Sequence, residues 1–409
     1  MNVKQALFCI GVSALLAACG GGGSDSASTG QSLTQAQPLP SGSTYIGTMS
    51  FGDTIRVQLD TPSTGQVTVS FISSQFGLSG SVVSSYTTSN GTYTADNFQA
   101  SGTVPAVLST GAPDMRLTFT LNTDSNNNAT MIGTFFKVPN VKAGSGTLTG
   151  QVTGSNNGVT TVAGLAGTYS FIKLSGDYTS AGVPTGDQDA DTGQIKINAD
   201  GTFRACPSAP YSDTCTDDED SSVTDTGTIA IDANQTSYPG AFDLTLNGLM
   251  YGRLFASKSN GATTLMLDQA GTNSDGTFRT GSWVLQTAQT IASGTYDNTW
   301  VCTEPETTDE NVLTGGILSQ QVVISGSTLT VNGNSATFAL NSSFSAADSS
   351  SQPTPVAIGG LMSMLYTNSD SSQSAMMFLP VSPNAIYYLD EPNGNGFFVQ
   401  GLCTPGELG

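Results

Sequence analysis

Histidine is absent from all 409 residues. That removes Ser-His-Asp and Cys-His nucleophilic systems, the HExxH zinc site and the commonest general base. Basic residues are scarce too: 11 Lys and Arg stand against 31 Asp and Glu, for a formal net charge of −20. A chain so acidic lacks the electrostatic footprint for nucleic acid or anionic lipid, and neither is expected as a partner. There is no Walker A loop, no GxSxG elbow and no CxxC spacing. Ser170 and Lys173 fit the SxxK spacing of serine-lysine acyltransferases, but residues three apart on a strand face opposite sides. Glutamates begin only at Glu219, followed by Glu304, Glu306, Glu310, Glu391 and Glu407. Most read as loop residues with no apolar surroundings to raise a carboxyl pKa, so a paired-carboxylate hydrolase is not expected. The chain reads as non-enzymatic.

What is present is a β-protein composition. Glycine reaches 48 residues and charged residues only 10%, with Ser, Thr and Asn abundant. Period-two alternation recurs along the chain: Ile55, Val57 and Leu59; Val67, Val69 and Phe71; Leu117, Phe119 and Leu121. It continues in Ile229 with Ile231, in Phe242, Leu244 and Leu246, and in Phe338 with Leu340. Such runs predict strands with one buried face. Asn90-Gly91, Asp200-Gly201, Asn260-Gly261 and Asp275-Gly276 supply tight turns between them. Ile358 to Tyr366 fits either a short helix or a buried strand. Runs of five to eight residues with Thr and Ser outward do not match a membrane-spanning barrel, whose strands need roughly 9–11 residues and an apolar outer band.

A weak repeat divides the meander. Ser43-Thr44-Tyr45, Gly167-Thr168-Tyr169 and Gly294-Thr295-Tyr296 recur at intervals of about 125 residues, each opening a unit of about eight strand-like runs. Gly91-Thr92-Tyr93 repeats the tripeptide inside a unit, so three units or two larger ones both fit. The three-unit division places β units at 43–154, 164–290 and 291–409, with a linker over Gly154 to Ala166. The fold class expected is all-β: tandem antiparallel meander barrels or sandwiches, with a lipocalin-like up-and-down topology, behind a flexible tether.

The tether lies at the start. Lys4 provides a positive flank, Ala6 to Leu16 an apolar stretch too short to span a bilayer, and Leu16-Ala17-Ala18-Cys19 follows. Those residues resemble the signal and processing box of bacterial lipoproteins, over about 20 residues. The resemblance implies a signal peptide at 1–18, cleavage before Cys19, thioether-linked diacylglycerol on its sulfur and acylation of the new amine. It also implies that Gly20, which is not an Asp, directs the chain to the outer membrane. Two or three acyl chains anchor firmly where one holds only marginally. Residues 19–42, rich in Gly, Ser, Thr and Gln, cannot bury a core and read as a tether.

Cys206, Cys215, Cys302 and Cys403 remain after cleavage, an even set in an exported chain, and predict two disulfides with three possible pairings. In a closed up-and-down barrel the first and last strands are neighbours. That favours Cys302–Cys403 as a staple of closure, constraining about 100 residues for about 4 kcal/mol, with Cys206–Cys215 as a local bridge. Asp187, Asp189 and Asp191 alternate as in a calcium loop, although Gly193 and Asn198 occupy the wrong places for an EF-hand. With Asp217 to Asp220 they would form one acidic rim able to hold calcium, or simply a solvated loop end. Arg204 and Arg279 each follow Gly-Thr-Phe, and face either an anionic ligand or a neighbouring acid. Trp283, Trp300 and the tyrosines either line a cavity or fill a core. The function expected is a lipid-anchored envelope protein, at the periplasmic face or cell surface, binding a protein, glycan or lipid. The alternative is a lipocalin-like carrier with an apolar ligand inside a barrel.

Overall fold

The computed structural model describes residues 43–60, 65–89, 91–126, 128–217, 220–259, 261–308, 313–331, 333–344, 354–367, 373–392 and 396–407. The expected signal peptide, Cys19 and tether lie outside them. The described residues form three antiparallel β structures in chain order.

The first contains β1 (Thr44–Met49), β2 (Asp53–Leu59), β3 (Gln66–Ser74), β4 (Gly80–Ser89), β5 (Thr92–Asp96), β6 (Gln99–Ser101), β7 (Arg116–Thr123), β8 (Ala129–Pro139) and β9 (Thr147–Ser155). β1 pairs with both β2 and β9, and β3 with β4, so eight strands close into a barrel. β6 lies outside the ring, bonded to β4, and leads into the short helix Ala106–Gly111. The alternating residues Val57, Val69, Leu117 and Phe119 point inward with Phe76, Phe98 and Phe135, all buried. Each large apolar side chain so buried contributes about 2 kcal/mol.

The second comprises β10 (Gly167–Tyr178), β11 (Pro184–Ile197), β12 (Thr202–Pro207), β13 (Thr226–Ile231), β14 (Phe242–Leu246), β15 (Leu249–Ser259), β16 (Ala262–Thr272) and β17 (Phe278–Thr287), closed by β10 against β17. It too is filled, by Phe171, Phe203, Phe242, Trp283 and aliphatic neighbours. The Phe171 ring stacks on Trp283 at 5.1 Å between centroids. Trp283 thus belongs to a core.

The third contains β18 (Asn298–Thr307), β19 (Leu313–Ser325), β20 (Thr328–Val331), β21 (Asn334–Thr337), β22 (Ala339–Phe344), β23 (Pro355–Thr367), β24 (Gln373–Ser382), β25 (Ala385–Asp390) and β26 (Val399–Pro405). The first and last strands pair, as expected for an up-and-down barrel, with Cys302 opposite Cys403. The structure bonds Cys302 to Cys403 and Cys206 to Cys215. The open seam lies elsewhere, between β21 and β22, which share no ladder. Both cysteines sit inside their strands and not at the ends, because each strand runs further than the apolar pattern indicates.

That excess length is general. β11 runs 14 residues and β19 and β23 run 13, well beyond the five to eight expected. Polar ends such as Gln188 to Asp191 carry no apolar signal, yet the ladder continues through them. Strand length therefore does not separate these barrels from membrane-spanning ones. Their outer faces meet one another through apolar clusters, such as Ile132, Ile172, Val284 and Leu379, and through small polar pairs: Thr130 Oγ1 with Ser257 Oγ at 2.7 Å, and Thr192 Oγ1 with Ser343 Oγ at 2.5 Å.

Ile358 to Tyr366 is strand. Leu361 packs outward toward Ile172 and Val284 of the second barrel, while Met362 and Met364 face the third barrel's interior. Burial on both faces erases the period-two pattern and leaves a continuous apolar run, which by itself cannot be told from a helix. The adjacent tyrosines of β25 show the same division. Tyr387 points out, its hydroxyl bonded to Thr153 of the first barrel, and Tyr388 points in.

Candidate functional site

The expected acidic loop is a strand. Asp187, Asp189 and Asp191 lie within β11, and their spacing places all three on one face, because aspartates two apart suit a strand as well as a calcium loop. Asp191 stands opposite Lys173, which shares the face of Tyr169 and Phe171, so this face is the inner one. Lys173 Nζ bonds Asp189 at 2.6 Å, and Arg279 lies 3.3 Å from the same carboxylate and 2.7 Å from Asp177. Burial would lower the Lys173 pKa, but Asp189 with Tyr251 and Asp191 more than offset it and hold it raised. The charge of Asp189 is met by two cations. Among the described residues no three acidic or cysteine side chains gather as a metal site. Asp218 and Glu219 of the other acidic stretch lie outside the described residues. Arg204 donates to the Cys215 carbonyl at 2.7 Å, beside the disulfide. Ser170 faces away from Lys173, donating to the Gly359 carbonyl at 2.5 Å.

The third barrel differs from its neighbours in being hollow. It holds a partly open chamber of about 360 Å³, within the range of small-molecule sites. The walls are Val322, Ile324, Leu329, Met364, Met376 and Phe378, with the Cys302–Cys403 bridge across one side. Trp300, two residues before Cys302 on the same face, is fully buried and donates to the Tyr296 carbonyl at 3.1 Å. It does not line the chamber but fills the barrel beyond the disulfide. The unpaired seam borders the chamber, since Asn334 to Ala336 of its edge strand β21 line it.

At the chamber's other end the walls turn polar. Glu304, Tyr366, Tyr388 and Asp390 line it together. Their placement follows from strand parity. Trp300, Cys302 and Glu304 share one face of β18, and Ile386, Tyr388 and Asp390 share one face of β25. Gly401 of β26 lies between Tyr388 and Glu304 in the ladder. A Cβ at Gly401 would stand 2.0 Å from the Tyr388 ring, so the missing side chain is what lets that ring cross β26. The Tyr388 hydroxyl then reaches Glu304 as a hydrogen-bond partner. Tyr366 donates to Asp390 at 2.8 Å. Gly401→Ala is expected to push Tyr388 off Glu304 and cost roughly 2 kcal/mol through overpacking, read as a lower urea midpoint.

Burial raises the Glu304 pKa to about 8, with the Asp390 charge adding to it, while the bond from Tyr388 works the other way. Burial likewise lifts Asp390 to about 6, against the bond from Tyr366. Near neutral pH the pair therefore keeps one proton and one negative charge. Glu391, beside Asp390, instead accepts the amides of Ala375 and Gly396, at 3.3 and 2.6 Å, and ties down the strand end. Glu304 Oε2 has no hydrogen-bond partner among the described residues, although the residue is only 4% exposed.

The sequence reading placed most glutamates in hydrophilic loops. Glu304 is instead a strand residue in an apolar wall. Its immediate neighbours, Thr303, Pro305 and Glu306, are polar or turn-prone and hide the alternation. The one available signal was its even spacing from Trp300 and Cys302.

No protein-family model and no curated protein matches this sequence. Three solved structures show a distant likeness. Intact Ap-TbpB, with N and C lobes, is 9% identical over 70% of this chain and 58% of its own, with a TM-score of 0.19. A variant of transferrin binding protein B, a vaccine antigen from Haemophilus parasuis Hp5, is 10% identical over 92% and 79%, with a TM-score of 0.19. Isotype 1 transferrin binding protein B from serogroup B Neisseria meningitidis is 10% identical over 87% and 66%, with a TM-score of 0.18. This chain thus spans less than two thirds of the first and third. At these scores the likeness carries no functional weight, which leaves the chamber.

Proposed function

We propose that this chain is a non-enzymatic binding protein of the cell envelope that holds a small, mainly apolar ligand in its third barrel. The observation behind this is the contrast among three barrels of one chain. Two are filled with side chains, and the third keeps about 360 Å³ open beside an unpaired seam. A void lined by apolar side chains loses packing contacts on every wall, so a chamber of this size is costly unless something occupies it. The site lacks the nucleophile-base pairing that acyl transfer needs. The outer-membrane lipid anchor belongs to the same proposal and rests on the resemblance of Leu16 to Cys19 to a lipoprotein box. A ligand carrier held at the membrane by a tether would reach both the bilayer and the soluble phase.

Native mass spectrometry of the purified chain is expected to show a bound small molecule, and Ala336→Trp, which fills the chamber from β21, is expected to lose it. Retention of the same mass by the filled variant would place the ligand elsewhere. Cys19→Ser is expected to abolish palmitate labelling and release the chain from the membrane fraction; labelling that persists would refute the anchor.

Contact with another protein is a second reading with one observation behind it. The β14–β15 hairpin carries Leu249 and Met250, 74% and 51% exposed, at its tip. Photo-crosslinking from position 249 in intact cells would capture such a partner, and an absence of adducts would count against it.

A further inference from the structure

We infer that the chamber selects a ligand with a cationic head, a protonated amine on an apolar body, seated with its ammonium group against Glu304 and Asp390. The inference rests on the chamber reading above and adds the chemistry of its polar end. Three observations carry it. The two acidic residues line one partly open cavity, each more than nine-tenths buried. One oxygen, Glu304 Oε2, is left as an acceptor with no donor among the described residues. Among the described residues no Lys or Arg lines the chamber, and the chain has no histidine.

A buried acceptor left without a donor is destabilising, and a buried charge more so. Folded proteins remove that cost by pairing the group, and none of the described residues supplies the partner here. An ammonium carries three donors and one positive charge. It would satisfy Glu304 Oε2, neutralise the single negative charge that the pair holds near neutral pH, and leave the Tyr366 and Tyr388 bonds in place. A neutral alcohol could donate to the same oxygen but would leave the charge unmatched. A carboxylate would add a second charge of the same sign in a low-dielectric site. The remaining walls, with Val322, Ile324, Leu329 and Phe378, suit an alkyl or aryl body. At roughly 30 Å³ per water the chamber volume corresponds to about a dozen waters, so the body is short.

The test uses the full chain carrying Cys19→Ser, so that no attached acyl group competes, and three probes of one length: n-octylamine, 1-octanol and octanoate. Calorimetry at pH 7.5 is expected to show octylamine binding at least tenfold more tightly than octanol, with octanoate weakest. Asp390→Asn, which removes the charge that the pair holds at this pH, is expected to cost octylamine tenfold or more while changing octanol less than threefold. Glu304→Gln should shift the same ratio in the same direction by a smaller factor. Octanol or octanoate binding as tightly as octylamine would overturn the head-group inference and leave the chamber reading standing. Unchanged discrimination in both folded variants would also overturn it. Failure of all three probes to bind would overturn the chamber reading, and this inference with it.

Discussion

Glu304→Gln is expected to stabilise the protein at pH 9 by about 5 kcal/mol and to leave its stability at pH 4 unchanged. The sign follows from the direction of the shift. Below the ordinary glutamate value of 4.5 the folded and unfolded chains both carry the proton, so Glu304 adds no pH dependence. As pH rises the unfolded chain ionises freely while the buried carboxyl resists, and the folded state loses ground by about 1.4 kcal/mol per pH unit. The loss levels off above the folded value of about 8. Glutamine keeps the shape and removes the ionisation. Asp390, Asp268 and Asp243, raised by burial to about 6, and Asp53, raised well above its ordinary value by burial, give both proteins a further slope of the same sign. Urea midpoints from pH 4 to 9 measure this directly. Parallel curves for the two proteins would show that Glu304 is not buried as an acid. A saturating cationic ligand should flatten the native curve in the same range, because it makes the ionised form the favoured one.

Loss of the Cys302–Cys403 bridge is expected to cost about 4 to 5 kcal/mol, and loss of Cys206–Cys215 about 2.5 kcal/mol. The difference comes from the chain each bridge closes in the unfolded state, 101 residues apart against 9. Because the first bridge also forms a chamber wall, Cys302→Ala with Cys403→Ala should weaken ligand binding as well as stability. The Cys206 and Cys215 pair, lying in the second barrel, should not. Equal denaturation shifts for the two double variants would contradict the loop-length account. An unchanged ligand affinity in the first would contradict the place of the bridge in the wall.

Much of the fold was legible because strand alternation is local. Val57, Val69 and Phe119 repeat at period two, and the glycines of the predicted turns, such as Gly201 and Gly276, adopt positive φ. The pairing of first and last strands in the third barrel was legible too, through Cys302 and Cys403. The pattern failed where a strand is buried on both faces, as over Ile358 to Tyr366, and where polar residues continue a ladder, as from Gln188 to Asp191.

The sequence alone determined the β class, because composition and period-two spacing depend only on neighbours along the chain. The hollow barrel and its acid end were decided by tertiary structure. Whether a barrel is filled depends on side chains converging from strands far apart, so Trp283 packs into a core while Trp300 stops short of a chamber. Glu304 and Asp390 lie 86 positions apart in the chain. They line one cavity because β26 runs between their strands and carries a glycine where a side chain would have kept Tyr388 from crossing.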